Sequence, residues 1–453
     1  MDADVIVVGA GPVGLFLATE LRLAGAEPLV LERLATPSED EKARGLGPLA
    51  TEAFWRRGLG DQLAEADVQG TKDLARDHGT TRGHFANIFK ITPSEDRPRT
   101  YIWQPELERV LAKHAEGIHV LRGHEVTALE SDVDGVTVTA GGTWRAKYVV
   151  GCDGGRSTVR KLTGFAFPGT PPLLRTTAGQ VRFVGDVPSS GRYDGGTFLH
   201  GGRLAGITEL ASTPEPVTAA DFAASIRRIT GADVVVEEFR EERRFGDQAR
   251  QAETYRLGRV FLAGDAAHVH SPSGGQGLNL GLLDAANLGW KLGAVLRGDK
   301  PEAFLDTYTH ERHPAGEAVL RNTRAQSALL APGPHVDALR EIVADLMDVP
   351  EANKYFGDLL AGIHQRYDFP YLAPAPAGEH CPDLELVGHD GRVTRLHEHT
   401  RTGRGLLLTA ADVTDPRVDV VPVTNTGPLL LRPDGVIAWA GEGPLEVALD
   451  TWF

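Results

Sequence analysis

Two glycine-rich segments hold the residues whose types and spacing could do chemistry. In the first, GAGPVG, the glycines Gly9, Gly11 and Gly14 follow the pattern GxGxxG. They come directly after a β-branched run, DVIVV (4–8), and open an Ala- and Leu-bearing stretch that runs to about Leu23; acidic Glu32 closes the next apolar run, PLVLE. In that context the glycines suit a dinucleotide. Gly9 permits the tight turn, Gly11 lets the backbone approach a pyrophosphate, and Gly14 lets helix and strand pack closely. The helix amino end faces the phosphate charge, and Glu32 is placed to accept from ribose hydroxyls. The motif does not separate FAD from NAD. VGCDGG and GGQGLNLG have other spacings, so one dinucleotide domain is expected.

The second segment is AGDAAHVHSPSGGQGLN (263–279), with one carboxylate, Asp265, two histidines, His268 and His270, and the glycines Gly274, Gly275 and Gly277. A carboxylate at the end of the buried run RVFLAGD suits a polyol chain, because it accepts from hydroxyls. Glycines before a helix expose N–H groups, and a helix amino end stabilises anions. The pyrimidine edge of a reduced flavin carries negative charge, so this surface suits that edge. A metal site at His268 and His270 would need further ligands, and an i, i+2 pair on a loop is a poor frame for one. The expectation is that both histidines cap the loop.

These residues need a scaffold. DVIVV, the glycine loop, a helix and PLVLE read as β-α-β, the start of a parallel doubly wound sheet. A helix is expected at about 105–116, opened by Pro105. VTALES and GVTVTA read as strands around the turn DVDG, and KYVVGCDG (147–154) as another. Residues 173–246 alternate apolar and polar positions and read as the sheet of a second domain, with a helix near 218–228. RVFLAGD (259–265) is a buried strand, and a long helix follows from about 277 to 296. Residues 333–365 are helical. Beyond the proline-rich PYLAPAPAGEHCPD boundary, RGLLLTA, VDVVPV and GPLLLRPDGVIAWAG read as a small separate α/β domain.

The totals exclude several classes. A chain of 453 residues exceeds one ordinary core, so two or three domains are expected. A net charge of −15 without a polybasic run argues against nucleic acid and anionic membrane as partners. Two distant cysteines, Cys152 and Cys381, make no CxxC, which argues against zinc and a disulfide framework and for a reducing cytoplasm. The apolar start lacks a basic leader, carries Asp2 and Asp4 and is broken by glycines, so no targeting segment is expected. No stretch has the length and purity of a membrane span.

Four segments in family order over residues 4–314 give the chain a resemblance: DVIVVGAGPVGLFLATELRLAG, YVVGCDGGRSTVRK, GRVFLAGDAAHVHSPSGGQGLNLGLLDAANLGWKL and YTHERHP. The chain resembles the class A FAD-dependent aromatic hydroxylases, nearest the aromatic polyketide hydroxylases and rifampicin monooxygenases. The tail, RTGRGLLL with LLLRPDGVIAWAG, resembles that subgroup's thioredoxin-like domain; without CxxC it packs or dimerises rather than doing redox chemistry. The resemblance implies a Rossmann-like FAD-binding domain (1–73, 101–172 and 247–330), an inserted β-sheet substrate domain (74–100 and 173–246), a helical linker (331–370) and a thioredoxin-like C-terminal domain (371–453).

It also implies roles. Gly9, Gly11, Val13 and Gly14 hold the pyrophosphate; Glu32, with Arg33 beside it, binds the ribose; Arg44 and Gln104 reach the flavin side; the Val126 backbone touches the adenine. Asp153, Arg156 and Thr158 form the motif used for the pyrophosphate and for the passing NADPH. Asp265 binds the ribityl–phosphate chain, and Pro272, Gly275, Gln276, Gly277, Leu278 and Asn279 line the isoalloxazine. NADPH reduces the flavin, O2 then gives a C4a-hydroperoxide, and its distal oxygen attacks an electron-rich ring. No catalytic residue or metal is assigned. Phe85, Phe89, Trp103, Phe198 and Tyr193 are expected to line a pocket for a flat, polycyclic aromatic substrate, at each of which core packing competes with contact. Hydroxylation, Baeyer–Villiger oxygenation of a ring ketone and antibiotic-inactivating hydroxylation remain open, as does a homodimer. A flavin halogenase would carry WxWxIP, which is absent. A flavin-loaded binding protein is the non-enzymatic alternative.

Overall fold

The computed structural model describes residues 1–40, 42–66, 83–92, 97–201, 203–212, 218–371, 373–411 and 413–453, with only the backbone of Glu241 and Glu242. Residues 74–82 and 93–96, within the piece expected to belong to the substrate domain, lie outside these.

The buried β-branched runs form the centre of the main sheet. Its described strands run in the order 256–257, 260–262, 143–151, 3–8, 28–32 and 119–122, with a hairpin of 128–131 and 136–139 continuing from 143–151. The strands 260–262, 143–151, 3–8, 28–32 and 119–122 are parallel to their neighbours in that order. Leu262 pairs with Gly151, Gly151 with Val8, Val8 with Leu31, and Glu32 with Arg122. Their carboxyl ends therefore share one edge, where open α/β sheets bind ligands.

Helix Pro12–Leu23 and helix Gln276–Arg297 cover this sheet and pack backbone to backbone. A methyl on Gly289 would lie 2.5 Å from Glu20 Cβ, and one on Gly293 2.4 Å from Ala24 Cβ. One on Gly281 would lie 2.8 Å from Val13 Cγ2 and 2.9 Å from Gly264 Cα, which brings the amino-terminal turns of both helices together beside Gly264.

The inserted domain is an antiparallel sheet in the order 191–193, 196–201, 204–210, 174–184 and 235–246. Helix Ala219–Thr230 lies on one face, capped by a reciprocal Thr218–Asp221 box. Phe222 and Ile226 from the helix pack with Val181, Phe198, Ala205 and Ile207 from the strands. Helices Pro334–Leu346 and Pro350–Ala361 follow the 25-residue helix Asp306–Leu330 and cover the hairpin 83–91.

The tail forms a four-stranded mixed sheet (418–422, 405–409, 429–431, 437–439) and ends in helix Leu445–Trp452. It has a core of its own, around Leu396, Leu408 and Leu431, and a second cluster in which Trp290 and Phe304 from the flavin side of the chain pack with it. Arg432 (C-terminal domain) pairs with Glu311 at 2.7 Å, Glu311 with Lys291 at 2.9 Å, and the side chains of all three are at most 1% exposed. Arg57 joins Glu20 at 2.5 Å and donates to the Thr400 and Pro433 carbonyls. Charges removed from water hold only with such partners, so the junction specifies one docked geometry. No helix of the described residues is long and apolar enough to cross a membrane.

Candidate functional site

The first glycine loop is built for a ligand that touches backbone. Gly9 has φ +106°, and a methyl there would sit 2.5 Å from the Cys152 carbonyl oxygen. A methyl on Gly14 would sit 2.0 Å from the Gly9 carbonyl oxygen. Gly11 differs: its Cβ direction meets nothing within 4 Å among the described residues, so the fold itself does not require a glycine there. Close approach by a ligand does. Helix Pro12–Leu23 starts with Gly11 as N-cap and Pro12 in its first turn, and no side chain caps it, which leaves its first amides for an anion.

Glu32 ends its strand beside this loop. One carboxylate oxygen accepts from the Ala10 amide at 2.7 Å and the other from the Leu34 amide at 2.8 Å. The His124 amide donates to the Glu32 carbonyl at 2.8 Å, which brings the 123–127 loop, with buried Val126, next to it. Arg33 is exposed nearby. On the other side of the central strand, Asp153 accepts from Ser157 Oγ at 2.5 Å and from the amides of Thr158 and Val159 at 2.6 and 3.1 Å. It thus holds the start of the short helix Thr158–Thr163, while Arg156 is exposed beside it.

Segment 43–46 pairs with 100–104: the Gln104 amide donates to Ala43 at 2.9 Å and the Leu46 amide to Thr100 at 2.8 Å. This gathers Arg44, Trp103 and Gln104, and the Arg44 guanidinium lies 4.1 Å from the Trp103 ring centroid. Gln104 donates to Glu108 at 2.9 Å. Burial, in first place, raises the Glu108 pKa above the ordinary carboxylate value.

The second segment forms a 3-10 turn, Gly264–Ala266, and then a loop into helix Gln276–Arg297. Asp265 is exposed at the sheet edge, and no described residue donates a hydrogen bond to it. Gly275, in the left-handed region at φ +63°, is the helix N-cap, again with no side-chain cap. Pro272 is exposed and accepts from the Gly275 amide at 3.0 Å. Gly277 and Leu278 are half-buried.

The side chains of two positions expected to line the ring have partners within the chain. Gln276 donates to the Leu359 and Leu360 carbonyls, at 3.2 and 3.3 Å, and accepts from Asn322. Asn279 accepts from the Gly47 amide at 2.6 Å and donates to the Gly275 carbonyl at 2.9 Å, tying the Arg44 segment to the helix start.

The histidines differ from the expected pair of loop caps. His270 does serve the loop, through Nδ1 to the Ser271 carbonyl oxygen at 2.7 Å; burial, its largest influence, lowers its pKa. His268 is fully buried and contacts Asp284 Oδ2 at 2.7 Å. Asp284 lies sixteen residues on, one face of a helix away, and no local spacing signals that pair.

The aromatic candidates divide. Phe89 is 40% exposed, and Trp103 lies under Arg44. Phe85 is buried against Phe356, 4.9 Å between centroids. Phe198 has no exposed surface, and Tyr193 packs with it on the helix side of the inserted sheet. Both Phe85 and Phe198 are buried. The positions of opposite parity, Leu199, Leu204 and Leu210, are 50%, 52% and 37% exposed, and Phe245 is 41% exposed. Phe245 pairs with Thr176, and Leu210 with Leu174, at the end of the sheet that continues into strand 249–251. That strand pairs with His268–Val269 of the Asp265 loop.

The comparisons with known proteins agree with this architecture. A model described as "FAD binding domain" matches residues 2–199 and 204–323, and one described as "Aromatic-ring hydroxylase, C-terminal" matches 375–453. The chain belongs to the FAD-binding aromatic-ring hydroxylases. It is 39% identical to the 12-dehydrotetracycline 5-monooxygenase/anhydrotetracycline 6-monooxygenase of Streptomyces rimosus subsp. rimosus, covering 100% of this chain and 99% of the relative. It is 40% identical to the rifampicin monooxygenase of Streptomyces venezuelae over 99% of this chain and 98% of the relative. The solved OxyS anhydrotetracycline hydroxylase from Streptomyces rimosus matches with a TM-score of 0.86 and 39% identity over 100% and 99% of the two chains. The protein is thus an FAD-dependent monooxygenase of this family, with NADPH as the family's usual co-substrate. The donor set fits the cofactor: an open Gly11, two helix starts without side-chain caps, and a carboxylate at the sheet edge with no donor among the described residues.

Proposed function

We propose that the protein hydroxylates a polycyclic phenolic substrate of the aromatic polyketide type, and that the flavin lies between the Gly11 loop and the Gly275–Leu278 helix start. When bound, FAD supplies the two-electron chemistry and the activation of O2. The chain's residues do the rest. The Gly11 backbone and the first amides of helix Pro12–Leu23 hold the pyrophosphate, Glu32 accepts from the ribose, and Asp265 accepts from the polyol chain. The amides at 276–278 face the pyrimidine edge, where a helix start favours negative charge. Arg44 over Trp103 closes the flavin side.

One observation carries the substrate class. The face of the inserted sheet turned away from its helix exposes Leu199, Leu204, Leu210 and Phe245 among polar neighbours such as Gln180 and Arg243, and its 174–176 end continues toward the Asp265 loop. A flat multi-ring molecule buries far more area there than a single ring does. The test is NADPH oxidation by the holoprotein, with and without tetracyclic and naphthoquinone phenols, under 18O2. Stimulated turnover with one labelled oxygen in the product supports the proposal. A ring-expanded lactone would make the reaction a Baeyer–Villiger oxygenation, and no turnover with any aromatic would favour a flavin-loaded binding protein. A reducing cytoplasm as its compartment accords with two unpaired cysteines.

A further inference from the structure

Two consecutive residues of YTHERHP, a segment not yet given a role, are fully buried and charged: Glu311 and Arg312. Their side chains diverge. Glu311 turns to the C-terminal domain, to Arg432 at 2.7 Å and to Lys291 at 2.9 Å. Arg312 turns toward the cofactor loop, where Nε donates to Asp284 Oδ1 at 2.8 Å and Nη2 to the Leu280 carbonyl at 3.0 Å. The other oxygen of Asp284 accepts from the Gly264 amide at 3.0 Å and meets His268 Nε2 at 2.7 Å. One buried carboxylate therefore ties the first residue of the turn Gly264–Ala266 to His268 just beyond it, and Asp265 is the middle residue of that turn.

We propose that Asp284, gripped from behind by Arg312, is the positioning carboxylate of the flavin loop: it fixes the turn that presents Asp265, and so sets flavin affinity and reduction potential. The inference rests on reading the Asp265 loop as flavin-bearing. Neither Asp284 nor Arg312 is exposed, so both act through that turn. Burial would push Asp284 upward, but Arg312 and His268 outweigh it and hold its pKa below the ordinary carboxylate value. Its charge is thus present when the loop is set. Partners behind a ligand-contacting group fix its orientation, and at metal sites their loss weakens binding about tenfold or more.

The test compares the two adjacent residues. Asp284→Asn/Arg312→Met removes both charges of the loop pair, and Lys291→Met/Glu311→Gln removes two charges of the junction. FAD dissociation constants, flavin midpoint potentials and melting temperatures of the apoprotein are measured for each. The expected result is an FAD Kd about tenfold higher and a shifted potential for the loop variant. The junction variant should bind FAD within about twofold of the parent at a comparable loss of melting temperature. An unchanged Kd and potential in the loop variant, or an equal loss of affinity in both, overturns the proposal. If the double loop variant does not fold, Arg312→Lys carries the same comparison. Asp265→Ala separates the two levels. Weakened binding there with none in the loop variant overturns the positioning role alone, while unchanged binding in Asp265→Ala overturns the flavin-loop reading beneath it.

Discussion

The carboxyl edge of the main sheet and the open face of the inserted sheet, joined through strand 249–251, are built on different principles. At the edge, four neighbouring strands in parallel register deliver Gly9, Glu32, Asp153 and Asp265 to one line, and the proposed binding there is mostly by backbone amides. Backbone binding requires the absence of side chains, so it leaves glycines at fixed spacing. The inserted sheet offers side chains instead. Its exposed leucines and its buried phenylalanines differ only in which face they occupy, and the vocabulary of a substrate surface is the same as that of a core.

Four substitutions test that difference, from the largest expected effect to the smallest. Gly14→Val forces a Cβ to within 2.0 Å of the Gly9 oxygen, so the backbone itself must move. It should abolish flavin binding and cost about 4 kcal/mol or more in thermal unfolding. Asp265→Ala leaves the fold intact and should raise the FAD Kd about tenfold, followed by quenching of flavin fluorescence. Leu204→Asp places a charge on the open face. It should raise KM for a polycyclic substrate about tenfold with the FAD Kd unmoved, since the charge must be desolvated under an apolar ligand. Phe198→Leu should do the reverse, costing about 1 kcal/mol in stability with KM unchanged. A rise in KM for Phe198→Leu, with none for Leu204→Asp, would reverse the assignment of the two faces.

Legibility followed the same division. The β-α-β opening, the acidic strand end, the RVFLAGD strand and the long helix after it could be read because each has a local signature. The Gln276 and Asn279 side chains find partners far along the chain, Leu359 and Leu360 for one and Gly47 for the other, and no local spacing signals those pairs. Phe198 lies on the face that helix Ala219–Thr230 covers, and alternation gives two faces without saying which one that is. The His268–Asp284–Arg312 grouping spans 28 residues between Asp284 and Arg312 and gave no signal beyond YTHERHP itself. Packing of the tail was expected from its lack of CxxC, but the contacts that seat it leave no local signal: the buried Arg432–Glu311 contact joins residues 121 apart.

The central claim is that a flavin lies with its pyrimidine edge on the bare amides at the start of helix Gln276–Arg297. A crystal structure of the FAD complex tests this most directly. The account predicts a carbonyl oxygen of the flavin within hydrogen-bond reach of an amide at 276–278, and the polyol chain against Asp265. A ring stacked away from residues 272–279, with those amides facing solvent, would contradict it.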